Sequence, residues 1–120
     1  MPTVLLAEDD KDLLMLYRAA MTHQGLTVIE VSDGASLLEK LQQSDFTFDL
    51  AIFDIEMPEL PSLRAIEYIR SEPRLAEKPI IVVTANDRYQ ERLKGKVDYF
   101  FVKPIAIGEV MRLALTLTTG

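Results

Sequence analysis

Five short apolar segments alternate with segments of helical periodicity along the whole chain, and this alternation limits the possible folds more than any other feature of the sequence. Three of these segments are apolar at successive positions, which is typical of strands covered on both faces, as in parallel sheets. The five predicted strands are Thr3–Ala7, Thr27–Val31, Asp49–Phe53, Pro79–Val83 and Tyr99–Val102.

The segments between the predicted strands place apolar residues at intervals of three and four positions, which is the pattern of amphipathic helices. The apolar positions are Leu13, Leu16, Tyr17, Ala20 and Met21 in the first helix, Leu37, Leu38 and Leu41 in the second, Ala65, Ile66 and Ile69 in the third, and Val110, Leu113, Ala114 and Leu117 in the last. The fourth segment, Asp87–Leu93, is short and polar and predicts the weakest helix. Five strand–helix repeats predict an α/β fold with a doubly wound parallel sheet and right-handed crossovers.

Length and composition limit the kind of protein. The chain has 120 residues, which predicts a single domain over residues 1–120. Its 13 basic and 19 acidic residues give a net charge of −6, which disfavours direct nucleic-acid binding because that affinity comes largely from neutralised phosphates. The absence of cysteine excludes disulfides and fits a reducing, cytoplasmic location. No apolar segment approaches the roughly 20 residues that span a membrane, and no signal peptide precedes the first strand.

Polar residues follow four of the predicted strands at the point where each strand ends. Glu8 and Asp9 follow the first strand, Asp54 the third, Thr84 the fourth and Lys103 the fifth. Ligand sites in open α/β sheets form beyond the carboxyl ends of the strands. If these strands are neighbours, the sequence predicts that the carboxylates, the hydroxyl and the ammonium meet at one edge of the sheet.

This set of groups suits phosphoryl chemistry. Clustered carboxylates repel one another, and a hard divalent cation such as Mg²⁺, or Mn²⁺, relieves that repulsion with oxygen ligands. An aspartate can act as a nucleophile and form an acyl phosphate, while a lysine and a threonine neutralise and bind the phosphoryl oxygens. Because phosphoryl transfer needs mainly positioning and charge stabilisation, the set contains the parts for phosphorylating one of its own aspartates.

Each residue also has an ordinary structural interpretation. The run Glu8–Asp10 is typical of a helix start, with Asp10 as the N-cap and acids that favour the helix dipole. Asp54 alone is typical of a turn, Thr84 of a strand end and Lys103 of a solvated surface. The functional interpretation therefore depends on the conjunction of all four strand ends.

The chain resembles the receiver domains of two-component response regulators. The residues that carry the resemblance are Val4–Asp10, Asp49–Pro58, Val82–Ala85 and Phe101–Pro104, whose order and spacing match the family over essentially the whole chain. The resemblance implies a five-stranded parallel sheet of order 2-1-3-4-5 in a flavodoxin-like three-layer sandwich.

The resemblance also implies roles for individual residues. Asp54 would accept a phosphoryl group from a histidine kinase or phosphotransfer protein. Glu8, Asp9, Asp54 and the backbone carbonyl of Glu56 would hold Mg²⁺ or Mn²⁺. The domain would act as a signalling switch, and the only reactions it catalyses would be its own phosphorylation and dephosphorylation.

The response to phosphorylation is implied in the same way. Thr84 and Lys103 would contact the phosphoryl group, and movement of Thr84 would be coupled to an aromatic residue at Phe100. This would remodel the face of the fourth helix, fifth strand and fifth helix, where an effector domain, a partner or a second copy binds. Glu56 and Asn86 occupy the positions that tune the lifetime of the phosphoryl group.

Three features depart from the family pattern. Phe100 cannot hydrogen-bond at the surface as a tyrosine would, and it also fits a core position. The stretch from Thr84 to Lys103 is about one turn shorter than usual, which argues against a standard dimer through that face. The loop 59–61 lacks the usual glycine, and Ser62 is predicted to cap the third helix.

Two alternative functions remain open from the residues. Phe53–Glu56 is distantly similar to the aspartate-nucleophile motif of haloacid-dehalogenase-type phosphatases, but here it follows the third strand and carries a glutamate where those enzymes have a second aspartate. A binding module of the same fold that does not use phosphate is the other alternative. The presence of every acid, the threonine and the lysine argues against it.

Overall fold

The computed structural model describes residues 1–57 and 62–119, and the loop at 58–61 that departs from the family pattern lies outside them. The strands are β1 (Thr3–Ala7), β2 (Thr27–Val31), β3 (Leu50–Phe53), β4 (Ile80–Thr84) and β5 (Tyr99–Val102). The helices are α1 (Lys11–His23), α2 (Gly34–Leu41), α3 (Leu63–Ser71), α4 (Gln90–Leu93) and α5 (Ile107–Thr119), with a 3₁₀ turn at Asp87–Tyr89 before α4.

The strands described form one parallel sheet in the order β2-β1-β3-β4-β5, which confirms the predicted topology. The central strands β3 and β4 are buried at every position, whereas the edge strands β2 and β5 are partly exposed. One core cluster packs α2 and α3 on one face of the sheet, and a second packs α1 and α5 on the other. These are the three layers of the predicted sandwich.

Three strand boundaries, in β3 and β4, differ from the prediction by one residue. Asp49 lies before β3, where its carboxylate accepts a 2.7 Å hydrogen bond from the amide of Thr3. Pro79 lies before β4, and β4 extends instead to Thr84, which pairs with Val102 of β5. Thr84 therefore belongs to the strand and does not follow it.

The ends of α1 agree with the sequence. The side chain of Asp10 caps α1 by accepting hydrogen bonds from the amides of Asp12 and Leu13, as predicted. At the other end Gly25 has a φ of +85°, the left-handed conformation that glycine adopts without strain. These local signals define where α1 begins and ends.

The predicted apolar stripe of α1 is wrong at one position. Leu16 is 52% exposed, although Tyr17 and Met21 are buried and Leu14 packs against the core with them. Successive helical residues are turned by about 100°, so Leu16 lies on the side of the helix when Tyr17 faces the sheet. The buried stripe therefore runs through Leu13, Leu14, Tyr17 and Met21.

The short, polar fourth helix is confirmed. It consists of the 3₁₀ turn and the single turn of α4, and among its residues only Leu93 is buried. It ends at Leu93, and Gly95 in the turn that follows has a φ of +83°. The helices in residues 1–57 and 62–119 all lack the combination of length and apolar character that a membrane crossing requires.

Candidate functional site

The carboxyl ends of β1, β3, β4 and β5 bring the predicted site residues together. One carboxylate oxygen from each of Glu8, Asp9 and Asp54 lies within 4.8 Å of the others. Thr84 is the last residue of β4, and its carbonyl accepts a 2.8 Å hydrogen bond from the amide of Lys103. The parallel order of the sheet therefore converges on one site, as the strand-end argument predicts.

Asp54 is held firmly at the end of β3. Its amide donates a 2.9 Å hydrogen bond to the carbonyl of Ala7, which continues the pairing of β1 and β3. Its Oδ1 accepts a 3.0 Å hydrogen bond from the amide of Glu56, and its Oδ2 accepts a 3.1 Å hydrogen bond from Lys103 Nζ. The carboxylate is nearly buried, so these contacts fix its orientation.

Lys103 bridges two carboxylates. Its Nζ lies 2.9 Å from Oε1 of Glu8 and 3.1 Å from Oδ2 of Asp54. Burial alone would lower the pKa of Lys103, but the hydrogen bonds to Glu8 and Asp54 outweigh burial and raise the pKa. The ammonium is therefore the charge that holds the carboxylates together in the absence of another cation.

Glu8 carries the most deeply buried carboxylate of the three, with 3% of the residue exposed. Burial raises the pKa of Glu8 more than its hydrogen bonds from Lys103 and the Asp10 amide lower it. The ion pair with Lys103 therefore does not fully offset the cost of burying the charged carboxylate of Glu8. Asp9, by contrast, is exposed to solvent.

Tyr17 of α1 is a residue near the site that the sequence assigned only to the core. It is 2% exposed, and burial raises its pKa, with a further contribution from the negative charges of Glu8 and Asp54. Its position in an apolar helical stripe gave no signal of this proximity.

The hydroxyl of Thr84 lacks a hydrogen-bond partner within residues 1–57 and 62–119, although the residue is completely buried. More than nine in ten buried polar groups are paired in folded proteins, so an unpaired buried hydroxyl at the end of a strand needs an explanation. A ligand oxygen beside Asp54 and Lys103 would supply the missing partner.

The donor set fits a hard divalent cation. Glu8, Asp9 and Asp54 offer oxygen ligands close enough to share one ion, and Mg²⁺ prefers such ligands together with water and phosphate oxygens. The side chain of Glu56 lies at the rim of the site and is 42% exposed, where it pairs with Arg88 at 3.2 Å. The role of its backbone carbonyl as a ligand remains a prediction.

The predicted helix cap at Ser62 is wrong. The backbone of Ser62 has the helical conformation (φ −65°, ψ −7°) instead of the extended one that an N-cap adopts, and its side chain makes no cap hydrogen bond. Its buried hydroxyl donates instead to the carbonyl of Asp54 at 2.7 Å, and its amide donates to the carbonyl of Ile55 at 3.1 Å. Ser62 therefore closes the loop after β3 against the start of α3.

The residues predicted to tune and to switch lie around this centre. Asn86 caps the 3₁₀ turn, because its Oδ1 accepts a 2.9 Å hydrogen bond from the amide of Arg88. Phe100 is partly buried and packs against the core cluster that contains Leu93, while its neighbour Tyr99 is exposed. The structure thus places Phe100 in the core position that its sequence context also allows.

Comparison with known proteins places these features in a family. The family described as response regulator receiver domain matches residues 4–114. The chain is 28% identical over 123 residues to the sensor protein GacS of Pseudomonas syringae pv. syringae, and the alignment covers 98% of this chain and 13% of GacS. It is 30% identical over 112 residues to the transcriptional regulatory protein GltR of Pseudomonas aeruginosa, and the alignment covers 91% of this chain and 46% of GltR.

Solved structures agree with the sequence relatives. The crystal structure of the response regulator protein TrrA from Thermotoga maritima, in complex with Mg²⁺–BeF, matches with a TM-score of 0.83 at 25% identity and covers 98% of this chain and 99% of that one. The chain spans less than half the length of GacS and of GltR. Because the family match covers nearly the whole chain, and because the sheet order and the acidic cluster agree with it, this chain belongs to the response regulator receiver domain family of two-component signalling.

Proposed function

We propose that the chain is a phosphoacceptor switch in which Asp54 takes a phosphoryl group from the phosphohistidine of a histidine kinase or phosphotransfer protein, with Mg²⁺ or Mn²⁺ bound. The observation that carries the proposal is the arrangement at the strand ends. Lys103 and the Glu56 amide orient the Asp54 carboxylate, and the buried hydroxyl of Thr84, at the end of the neighbouring strand β4, has no partner within residues 1–57 and 62–119. This arrangement supplies a nucleophile and a binding site for the oxygens that it would receive.

The roles of the residues follow from their contacts. An oxygen of Asp54 would attack the phosphorus of the phosphohistidine, and the P–N bond would break with its electron pair passing to the imidazole nitrogen. The remaining hydrogen bonds would keep the Asp54 carboxylate in position. Lys103 would exchange its contact with Asp54 for a phosphoryl oxygen, and the Thr84 hydroxyl would donate to another. When bound to Glu8, Asp9, Asp54 and the Glu56 carbonyl, the metal ion would supply the positive charge that neutralises the transferred group.

Output would arise at the face formed by α4, β5 and α5. Donation by Thr84 to a phosphoryl oxygen would shift β4, and Phe100 beside it in β5 would repack with Leu93 of α4. An effector domain, a partner protein or a second copy of the chain would bind this face in one state more tightly than in the other. The short α4 makes a dimer of the standard kind the least supported of these outputs.

Three further expectations belong to this proposal. The receiver domain spans residues 1–120, and the protein acts in the cytoplasm without binding nucleic acid or membrane through this domain. It catalyses only its own phosphorylation and dephosphorylation.

The phosphatase alternative is not favoured, because the aspartate follows the third strand of a receiver fold. The alternative without phosphate leaves the pairing of the Thr84 hydroxyl unexplained.

The test is the intact mass of the protein after incubation with acetyl phosphate and Mg²⁺. The wild type should gain one phosphoryl group, Asp54→Asn should gain none, and Asp45→Asn, at an exposed position before β3, should behave as the wild type. Equal labelling of Asp54→Asn would overturn the proposal, as would an unlabelled wild type. Continuous release of phosphate from phosphomonoesters, without a lasting label, would support the phosphatase.

A further inference from the structure

An ion pair joins the segments that follow β3 and β4 at the carboxyl edge of the sheet, and the gap between these two segments is called the mouth of the site. Arg88, in the 3₁₀ turn after β4, lies 3.2 Å from Oε2 of Glu56, in the loop after β3. The two residues are 32 positions apart in the chain, so the pair joins two separate loops. Both side chains are largely exposed, and an exposed pair of this kind contributes little to global stability. Its consequence is therefore expected to be local.

Glu56 is coupled directly to the nucleophile. Its amide donates the 3.0 Å hydrogen bond to Oδ1 of Asp54, so its backbone lies against the carboxylate that would be phosphorylated. The direction of its side chain decides whether the Glu56 carboxylate extends between the two loops or turns out into solvent. In this structure the side chain is drawn towards the 3₁₀ turn by Arg88.

Arg88 is itself held in place by its neighbours. The side chain of Asn86 accepts a hydrogen bond from the Arg88 amide at 2.9 Å and so fixes the 3₁₀ turn. The guanidinium lies 5.1 Å from the centre of the Tyr89 ring and 3.3 Å from its hydroxyl. A guanidinium that contacts both a ring and a carboxylate has fewer orientations available than a free surface arginine.

We propose that Arg88 is a positioning residue that holds the Glu56 side chain across the mouth of the phosphorylation site and thereby lengthens the lifetime of the phosphoryl group. This inference rests on the proposed phosphorylation of Asp54. Asn86 contributes to the same arrangement of side chains, because its side chain fixes the turn that carries Arg88. The sequence indicated Glu56 and Asn86 as tuning residues, and the structure adds the arginine that connects them.

The reaction affected is hydrolysis of the acyl phosphate. A water oxygen attacks phosphorus, the bond between phosphorus and the Asp54 oxygen breaks with its electron pair passing to the carboxylate, and the water gives up a proton as inorganic phosphate leaves. Release of the Glu56 side chain from Arg88 would open the mouth to the attacking water. Loss of Arg88 should therefore accelerate hydrolysis, and it should do so through Glu56.

The experiment follows the decay of the phosphorylated protein, by intact mass, after removal of acetyl phosphate. Arg88→Ala should shorten the half-life roughly two- to fivefold, the effect on rate expected from losing one exposed ion pair. Arg88→Lys should restore part of the lifetime, because it keeps the charge but loses the planar fork. Arg92→Ala, an exposed arginine of α4, is the matched control and should leave the half-life unchanged.

A double-mutant cycle separates this role from a general disturbance of the turn. In a Glu56→Gln background, Arg88→Ala should have no further effect, because no carboxylate remains for Arg88 to position. Equal acceleration in both backgrounds would overturn the inference, as would an unchanged half-life in Arg88→Ala. If the wild type is phosphorylated, either of these two results refutes only the inference about Arg88. If the wild type is not labelled, the proposed function is refuted and the inference with it.

Discussion

The ammonium of Lys103 lies 2.9 Å from Oε1 of Glu8, although 95 positions separate the two residues in the chain. Glu8 follows β1 and Lys103 follows β5, and β3 and β4 lie between these strands in the sheet. The contact is possible because both side chains lean over the carboxyl edge of the sheet towards Asp54. Lys103 can therefore neutralise these carboxylates because the order of the strands brings the end of β5 to the same edge of the sheet as the end of β1.

Removal of Lys103 should destabilise the metal-free protein and make it more responsive to metal. Lys103→Ala leaves the carboxylates of Glu8 and Asp54 without their ammonium partner. The free energy of unfolding should therefore fall by about 1–3 kcal/mol. This is less than the cost of breaking a fully buried ion pair, because Lys103 is partly exposed. Urea unfolding should show that millimolar Mg²⁺ restores more stability to this variant than to the wild type.

Lys96→Ala, at an exposed position between α4 and β5, is the control for removal of a lysine. It should change the free energy of unfolding by less than about 0.5 kcal/mol with or without Mg²⁺. A Lys103→Ala variant as stable as this control would contradict the bridging role of Lys103.

Replacement of Glu8 should stabilise the metal-free protein above acidic pH. Burial raises the pKa of Glu8 in the native state above its ordinary value of 4.5, so the native state binds that proton more tightly than the unfolded chain does. The contribution of Glu8 to the free energy of unfolding must then fall as the pH rises from 4.5 through the raised pKa. Glu8→Gln has no such proton. The free energy of unfolding of this variant should therefore rise relative to that of the wild type across this pH window and then level off. Urea titrations in chelator at several pH values measure this difference, and a constant difference would refute the assignment.

The hydroxyl of Thr84 should be dispensable for folding. In Thr84→Val a methyl group replaces a buried hydroxyl that has no partner in the part of the chain described, so stability should be unchanged or higher by up to about 1 kcal/mol. Thr118→Val removes a hydroxyl that donates to the carbonyl of Ala114 at 2.7 Å and should not be stabilising. Thermal unfolding of both variants tests the contrast, and a clear loss of stability in Thr84→Val would mean that the hydroxyl is paired in the resting protein.

The hydrogen bond from Ser62 to Asp54 should be worth more than its length alone suggests. Ser62→Ala leaves the buried carbonyl of Asp54 without this donor, which should cost about 1–3 kcal/mol in the free energy of unfolding. Ser71→Ala removes a similar bond to the carbonyl of Tyr68 on the exposed surface and should cost well under that amount. Equal values for the two variants, measured by urea unfolding, would contradict a positioning role for Ser62.

The sequence predicted those parts of the site that depend on where strands end. Asp54 and Lys103 could be placed together because parallel strands present their carboxyl ends at one edge, and strand positions follow from apolar segments. The order of the strands came from the family resemblance, since the spacing of apolar segments does not specify which strands are neighbours.

Features that depend on individual side-chain directions were not predictable in the same way. Ser62 was expected to cap α3, but its hydroxyl points to the carbonyl of Asp54 because its backbone is helical. The pair of Arg88 and Glu56 depends on the shape of a 3₁₀ turn, and the two residues belong to different loops. Leu16 fits a helical stripe by spacing alone, yet it lies beside the face that the sheet covers.

The most direct test of the central claim identifies the residue that is phosphorylated. After incubation with acetyl phosphate and Mg²⁺, borohydride reduces an aspartyl phosphate to homoserine, and peptide mass spectrometry locates the changed residue. The account predicts homoserine at position 54 alone and none without the phosphodonor. Homoserine at Asp9 or at another aspartate, or 5-hydroxynorvaline at Glu8 or at another glutamate, with Asp54 unchanged, would contradict it.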